Sequence, residues 1–293
     1  MAEPLPQCYL NGEYAALREA RISPLDRGFL FGDSVYEVVP VFAGRLFLFK
    51  EHFERLARSL REIRIENPHD NEGWLAIVEQ LVARNGGGDM YVYVQVSRGA
   101  EYGRNHAFPV PAVKPTVFAM SSPLPVFTEE LRTTGLSAIT VEDFRWGRCD
   151  IKSTALLANV LMKQQAADAG ANEAIIVRDG EVLEGSSTSV FVVKGGVVAT
   201  PPNSHRILPG TTRDAALAIA QDRGKVEIRK ITVDELRKAD EVWISAATRD
   251  VLPVTRVDGA AIGSGRPGPV WAEVSQGFVR ARRSLAGTRA LPA

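Results

Sequence analysis

Apolar residues in the first half of the chain recur at two different periods. Between positions 51 and 63, Phe53, Leu56, Leu60 and Ile63 fall on one narrow stripe, the spacing of a helix that packs a single face. A second helix is expected over 74–84. Residues 90–97 alternate instead, with Tyr91, Tyr93 and Gln95 on one side of a strand and Val92, Val94 and Val96 on the other. Short β-rich runs at 38–42 and 45–49 flank Ala43-Gly44, Asn11-Gly12 marks another tight turn, and a further strand is predicted over 114–120.

Pro123 and Pro125 disfavour both helix and central strand. With their polar flanks they predict a linker at 122–128 between an N-terminal domain, 1–121, and a C-terminal domain, 129–293. In the latter, Leu156, Leu157, Val160 and Leu161 have helical spacing and predict a helix over 153–169 that stops at Gly170. Two hairpins follow: 174–177 turns through Asp179-Gly180 into 181–183, and 190–194 turns through Gly195-Gly196 into 197–200. Helices are expected over 212–223 and 233–239, the second opened by a capping box of Thr232 and Glu235. A strand at 241–245, an Asp258-Gly259 turn and a helix over 269–285 complete the pattern. The fold class is therefore α+β, two domains with antiparallel-rich sheets and flanking helices. A doubly wound nucleotide-binding sheet needs strands alternating with crossover helices, and neither a Walker-type loop nor a dinucleotide glycine pattern is present.

Charge changes the picture by what it excludes. Lys plus Arg equals Asp plus Glu at 35 each, so no global field draws the protein to nucleic acid or to an anionic membrane, and small-molecule chemistry is favoured. Cys8 and Cys149 lie far apart without metal-ligand spacing, so neither a disulfide framework nor a metal site is read, and a reducing compartment fits. Residues 1–9 lack the basic and apolar parts of a signal peptide, and no apolar run approaches the roughly 20 residues of a spanning helix. A soluble, cytoplasmic enzyme is expected.

Several segments carry candidate chemistry. Lys152 sits at the threshold of the helix expected over 153–169, where burial would lower an amine's pKa and make it a nucleophile. Taken alone, a snorkelling surface lysine is the plainer reading. Leu208-Pro209-Gly210-Thr211-Thr212-Arg213-Asp214 is a glycine-hinged loop running into a helix, which suits a phosphate monoester or, more simply, a helix cap. Glu184-Gly185-Ser186-Ser187-Thr188-Ser189 puts small hydroxyl residues after a carboxylate, as an edge turn also does. Arg55 lies roughly 80° from the edge of its helix's apolar stripe, at about 100° per residue, and so faces either inward or solvent. Arg104-Asn105-His106 sets a guanidinium beside an imidazole, a carboxylate receptor or an incidentally charged loop.

In this order, the pieces resemble the fold-type IV pyridoxal-phosphate enzymes, most closely the D-amino-acid aminotransferases. The resemblance spans nearly the whole chain. It is carried by Asp26-Arg27-Gly28-Phe29-Leu30-Phe31-Gly32-Asp33-Ser34-Val35-Tyr36-Glu37, Glu51-His52-Phe53-Glu54-Arg55-Leu56, Arg98-Gly99, Arg104-Asn105-His106-Ala107-Phe108-Pro109 and the segments at Lys152, Glu184 and Gly210. It implies that Lys152 forms the Schiff base with pyridoxal 5'-phosphate and later carries a proton. Glu184 would face the pyridine nitrogen and tune the ring's electronics. Arg55, Thr211, Thr212 and backbone near Ala247 would bind the phosphate, with Leu208 packed on the ring. Tyr36, Arg104 and His106 match the family's carboxylate trap, whose Arg and His come from the partner subunit, so a homodimer is implied. The substrates implied are a D-amino acid such as D-alanine and a 2-oxo acid such as 2-oxoglutarate. Ser245-Ala246-Ala247-Thr248 departs from that pattern, because D-aminotransferases tend to carry more hydroxyl side chains there and branched-chain members also show alanine. A branched-chain L-amino acid or (R)-amine aminotransferase is the alternative, and a non-catalytic pyridoxal-phosphate-binding protein is the reading from another class. Arg249 receives no role.

Overall fold

Asn11 and Gly12, both at positive φ, turn strand β1 (Gln7–Leu10) back onto β2 (Glu13–Ala16). The computed structural model describes residues 3–286 and divides the chain into two units. One takes the chain to Pro125 together with Ile151–Ala155 and the part from Ser284, and the other takes Val126–Asp150 and Leu156–Arg283. The break after Pro125 falls within the segment predicted as linker. Lys152, assigned by sequence to the C-terminal domain, belongs to the first unit. Among the described residues no helix is long and apolar enough to cross a membrane.

The first unit continues with α1 (Arg27–Phe31), β3 (Ser34–Phe42), β4 (Arg45–Leu46), α2 (Phe49–Glu62), α3 (Asn71–Arg84), β5 (Met90–Ser97) and β6 (Thr116–Pro123). Its strands form one antiparallel sheet in the order β2-β1-β6-β5-β3-β4. The alternation read for 90–97 has a physical cause. Val92, Val94 and Val96 are fully buried in a core with Phe53, Leu56 and Leu60 of α2 and Trp74, Val78 and Leu81 of α3, whereas Tyr91, Tyr93 and Gln95 are only partly covered. Each such side chain removed from water contributes roughly 1.5–3 kcal/mol, so the sheet is held by this one face.

The second unit contains α4 (Glu129–Thr134), β7 (Leu136–Glu142), α5 (Leu157–Asp168), β8 (Glu173–Arg178), β9 (Glu181–Gly185), β10 (Ser189–Lys194) and β11 (Val197–Thr200). It continues with α6 (Thr211–Gln221), β12 (Val226–Ile228), α7 (Val233–Arg237), β13 (Glu241–Ala246), β14 (Asp250–Val257), β15 (Ala260–Ala261) and α8 (Pro269–Ala286). The sheet runs β12-β11-β10-β13-β14-β7-β8-β9, with β15 on β14. Antiparallel pairs predominate, as expected of this α+β class. Among the described residues, the pairs β7 with β8, β14 with β7 and β11 with β12 are parallel. The first and last of these are strand–helix–strand crossovers through α5 and α6, which parallel neighbours require. The predicted hairpins and the Thr232–Glu235 capping box are present.

One of the expected helices starts later than the sequence placed it. The helix placed over 153–169 begins only at Leu157, because Ser153 bridges to Val35 and the Thr154 N–H donates to the Ser34 carbonyl, pairing that overrides local helical spacing. The residues that carry its helical spacing lie mostly outside its buried face. Leu157, Val160 and Leu161 are 73%, 59% and 48% exposed, while Met162 and Ala166 are covered.

Candidate active site

Strand alternation on β3 sends adjacent side chains to opposite faces, and that separates Tyr36 from Glu37. The Tyr36 ring stacks on Tyr93, with centroids 5.5 Å apart, and the Lys152 Nζ lies 4.2 Å from the centre of the Tyr36 ring. The Lys152 backbone is fixed as well: its carbonyl accepts from the Tyr36 N–H at 2.9 Å. The lysine is half-buried and extended, five residues short of α5, and does not open that helix as the sequence suggested.

Glu37 enters the apolar side of the sheet, where an unpaired carboxylate would be prohibitive. Helix α2 supplies its partners. Glu37 Oε1 accepts from Arg55 Nε at 2.7 Å and Oε2 from Arg55 Nη2 at 2.8 Å, while His52 Nδ1 is 2.7 Å from Oε2. Glu37 and His52 are completely buried and Arg55 nearly so, which settles the inward orientation of Arg55. Burial pushes the Glu37 carboxyl up, but Arg55 and His52 more than reverse this and hold it well below the usual carboxylate range. Burial likewise lowers the His52 pKa, more than Glu37 raises it, so the imidazole is neutral and its Nδ1–H donates to Glu37.

Arg104 and His106 lie on an exposed loop and gather on Phe31 of α1. The Arg104 guanidinium is 4.9 Å from that ring's centre, and the His106 ring is 5.2 Å from it. Tyr36, by contrast, lies with Tyr93 and Lys152.

In the second unit, Glu184 ends β9 and is 6% exposed. Its carboxylate accepts from Arg145 and, at 3.0 Å, from the Leu208 N–H. Arg145 also donates to Asp143, with Nε 2.9 Å from Oδ1, so Glu184 is held from two directions by residues distant in sequence. Burial pushes the neighbouring Cys149 thiol up to about 11, which keeps it protonated and unreactive.

Helix α6 opens on Gly210, which brings no side chain to cap it, unlike Asp70 at α3 or Thr128 at α4. A Cβ on Gly210 would stand 2.7 Å from the Ser189 Oγ and 3.0 Å from the Arg213 Cβ. Ser245, directly across from Ser189 in the sheet, has a buried hydroxyl with no hydrogen-bond partner. Thr211 and Thr212 form the first turn, Thr212 being buried, and Ala247 follows β13, half-buried. First-turn N–H groups, a glycine permitting close approach and an unsatisfied hydroxyl fit an anionic group at this end of the unit.

Sequence reasoning missed Arg145 and the Glu37–His52 pair as site-shaping groups. For Arg145 no local signal exists. Glu37 and His52 stood inside the quoted segments, but only their apposition reveals their purpose. Arg249, left without a role, pairs with buried Glu173 at 3.1 Å.

The first unit holds an amine beside an aromatic ring, and the second holds a buried carboxylate and a helix start that fits an anion. The model of the amino-transferase class IV family matches residues 34–257, more than half of the chain, and the protein belongs to that family. It is 41% identical over 275 residues to the D-alanine aminotransferase of Staphylococcus epidermidis, a match covering 94% of this chain and 97% of the relative. Over 261 residues it is 42% identical to the D-alanine aminotransferase of Bacillus licheniformis, covering 89% and 91%. Among solved structures, a T.th. branched-chain amino acid aminotransferase with pyridoxamine 5'-phosphate matches with a TM-score of 0.88 at 28% identity, over 97% of this chain and 95% of that one. Shared fold alone does not choose between these substrates.

Proposed function

We propose that this class IV aminotransferase transfers the amino group of a D-amino acid such as D-alanine to a 2-oxo acid such as 2-oxoglutarate, in a ping-pong sequence. Its cofactor is pyridoxal 5'-phosphate, which when bound supplies an aldehyde for the amine and a ring that takes up the electrons of the broken Cα–H bond. The observation that carries the reading is the Lys152 Nζ, fixed over Tyr36 by a backbone hydrogen-bonded to β3. Lys152 is the residue that holds the cofactor and then moves the Cα proton. For the phosphate, Arg55 in the first unit is oriented by Glu37, and in the second unit Thr211, Thr212 and backbone near Ala247 are the groups that would receive it. Leu208 would pack on the ring, and Glu184, oriented by Arg145, would serve its nitrogen. Tyr36, Arg104 and His106 receive the donor's carboxylate. The D-alanine aminotransferases aligned along nearly the full chain support the substrate class.

The branched-chain reading is favoured by one observation, the structural match to a branched-chain enzyme. We further propose a homodimer. Phe29 at 77% and Leu157 at 73% exposure are apolar side chains that a second copy would cover, and the receptor pair Arg104 and His106 would then serve the partner's site. Two buried, unpaired thiols suit a cytoplasmic location.

Purified protein should be yellow, bleach with borohydride and carry the label on Lys152. Given D- and L-alanine separately with 2-oxoglutarate, it should form pyruvate from the D form and elute as a dimer by light scattering. Turnover of L-alanine alone would move the enzyme to the branched-chain side, and label without turnover of either would make it a carrier.

A further inference from the structure

The loop that bears Arg104 and His106 has no regular secondary structure, yet buried charge holds its backbone. Arg27, with its side chain 4% exposed, sends Nη1 to the Asn105 carbonyl at 2.6 Å and Nη2 to the His106 carbonyl at 3.2 Å. Its Nε donates to Asp33 Oδ2 at 2.9 Å. Arg98 grips the same carboxylate, Nε to Oδ2 at 2.7 Å and Nη2 to Oδ1 at 3.0 Å. Arg98 also donates to the carbonyls of Ile63 and Arg64 past the end of α2 and lies 3.7 Å above the Phe108 ring. One carboxylate therefore ties the end of α2 to both sides of the segment that presents Arg104 and His106.

This arrangement is costly unless it serves a purpose. Two guanidinium groups are desolvated against one shared carboxylate, with Glu101 only 3.5 Å from Arg27 Nη1 at the edge. The donors are spent on main-chain carbonyls of a surface loop and add nothing to either apolar core. Arg27 and Phe31 lie one turn apart on α1, so the same short helix carries the anchor for the loop backbone and the ring on which Arg104 and His106 rest. The base of the loop is closed by Gly99 at φ +103, where a Cβ would collide with the Lys114 carbonyl.

We propose that Arg27, Asp33 and Arg98 are positioning residues that preorganise the 101–108 loop, and that recognition of the donor's carboxylate by Arg104 and His106 depends on them. The part concerning carboxylate rests on the D-amino-acid reading above. Preorganisation lowers the ordering cost of binding, so its loss belongs in KM more than in kcat.

The test uses the holoenzyme and the variants Arg27→Lys and Asp33→Asn. Lysine keeps the charge but has no planar fork to reach two carbonyls and a carboxylate at once. Amide hydrogen exchange in the 101–108 peptide should rise about tenfold, with α3 unchanged. The KM for D-alanine should rise about tenfold while kcat stays within about twofold. Asp33→Asn, which is isosteric, should give the same pattern more weakly and covers the case in which Arg27→Lys does not fold. Unchanged loop exchange, or a fall in kcat as large as the rise in KM, overturns the proposal. If the unaltered enzyme does not use D-amino acids, the substrate part falls with the functional reading, and the exchange measurement alone decides whether the network holds the loop.

Discussion

In the first unit, the guanidinium of Arg55 is fixed by a carboxylate that an imidazole holds in turn, both wholly inside the protein. In the second, the start of α6 carries no capping side chain, and Gly210 brings backbone and a serine hydroxyl close together. Both arrangements suit an anion, yet they fail differently. A buried side-chain cluster must be complete, because one missing member leaves a desolvated charge behind. A backbone site is built from groups every residue has, and it is lost when a Cβ occupies the space.

The largest effect is expected at the side-chain cluster. Glu37→Gln leaves Arg55 facing a neutral amide and should cost about 3 kcal/mol in urea unfolding. A loss below about 1 kcal/mol would mean that the cluster is not the costly element proposed. Gly210→Ala should be milder for stability, about 1–3 kcal/mol for a side chain pressed on Ser189 and Arg213. It should also weaken retention of the cofactor on dialysis, followed by absorbance. Full retention would show that α6 does not receive the phosphate.

The smallest effect concerns pH. His52 is held neutral by burial, so the unfolded chain takes up a proton near its ordinary pKa of about 6.5 before the folded one does. The stability this contributes is present above that pH and is lost as the pH falls toward the depressed folded value. The melting temperature should therefore drop by roughly 2–4 °C between pH 7 and pH 5, and His52→Asn should flatten the drop. Asp33 and Glu37, both held below the usual carboxylate range, add their losses only at lower pH. An equal drop in the variant would remove His52 as its source.

Legibility follows the same division. The strand at 90–97, the paired hairpin turns and the capping box were readable because each signal sits within a few adjacent residues. Strand β14 was not, since Pro253 argues locally against a strand and only its place opposite Trp243 shows otherwise. The late start of α5 was hidden for a related reason: Ser153 and Thr154 answer to β3, which is remote in the chain. In the site, the glycine-threonine loop, Lys152 and Glu184 could be picked out as segments. Arg145 reaches Glu184 across 39 positions and Arg98 reaches Asp33 across 65, so neither leaves a trace in local pattern.

What the sequence alone determined was the family-defining order of segments and the α+β class. Periodicity and turn chemistry act over a few residues and are written in the chain itself. Which carboxylate orients which arginine, and which face of α5 stays exposed, were decided by tertiary structure. Buried charges are stable only as complete sets, and such sets are assembled from strands and helices that meet only after folding.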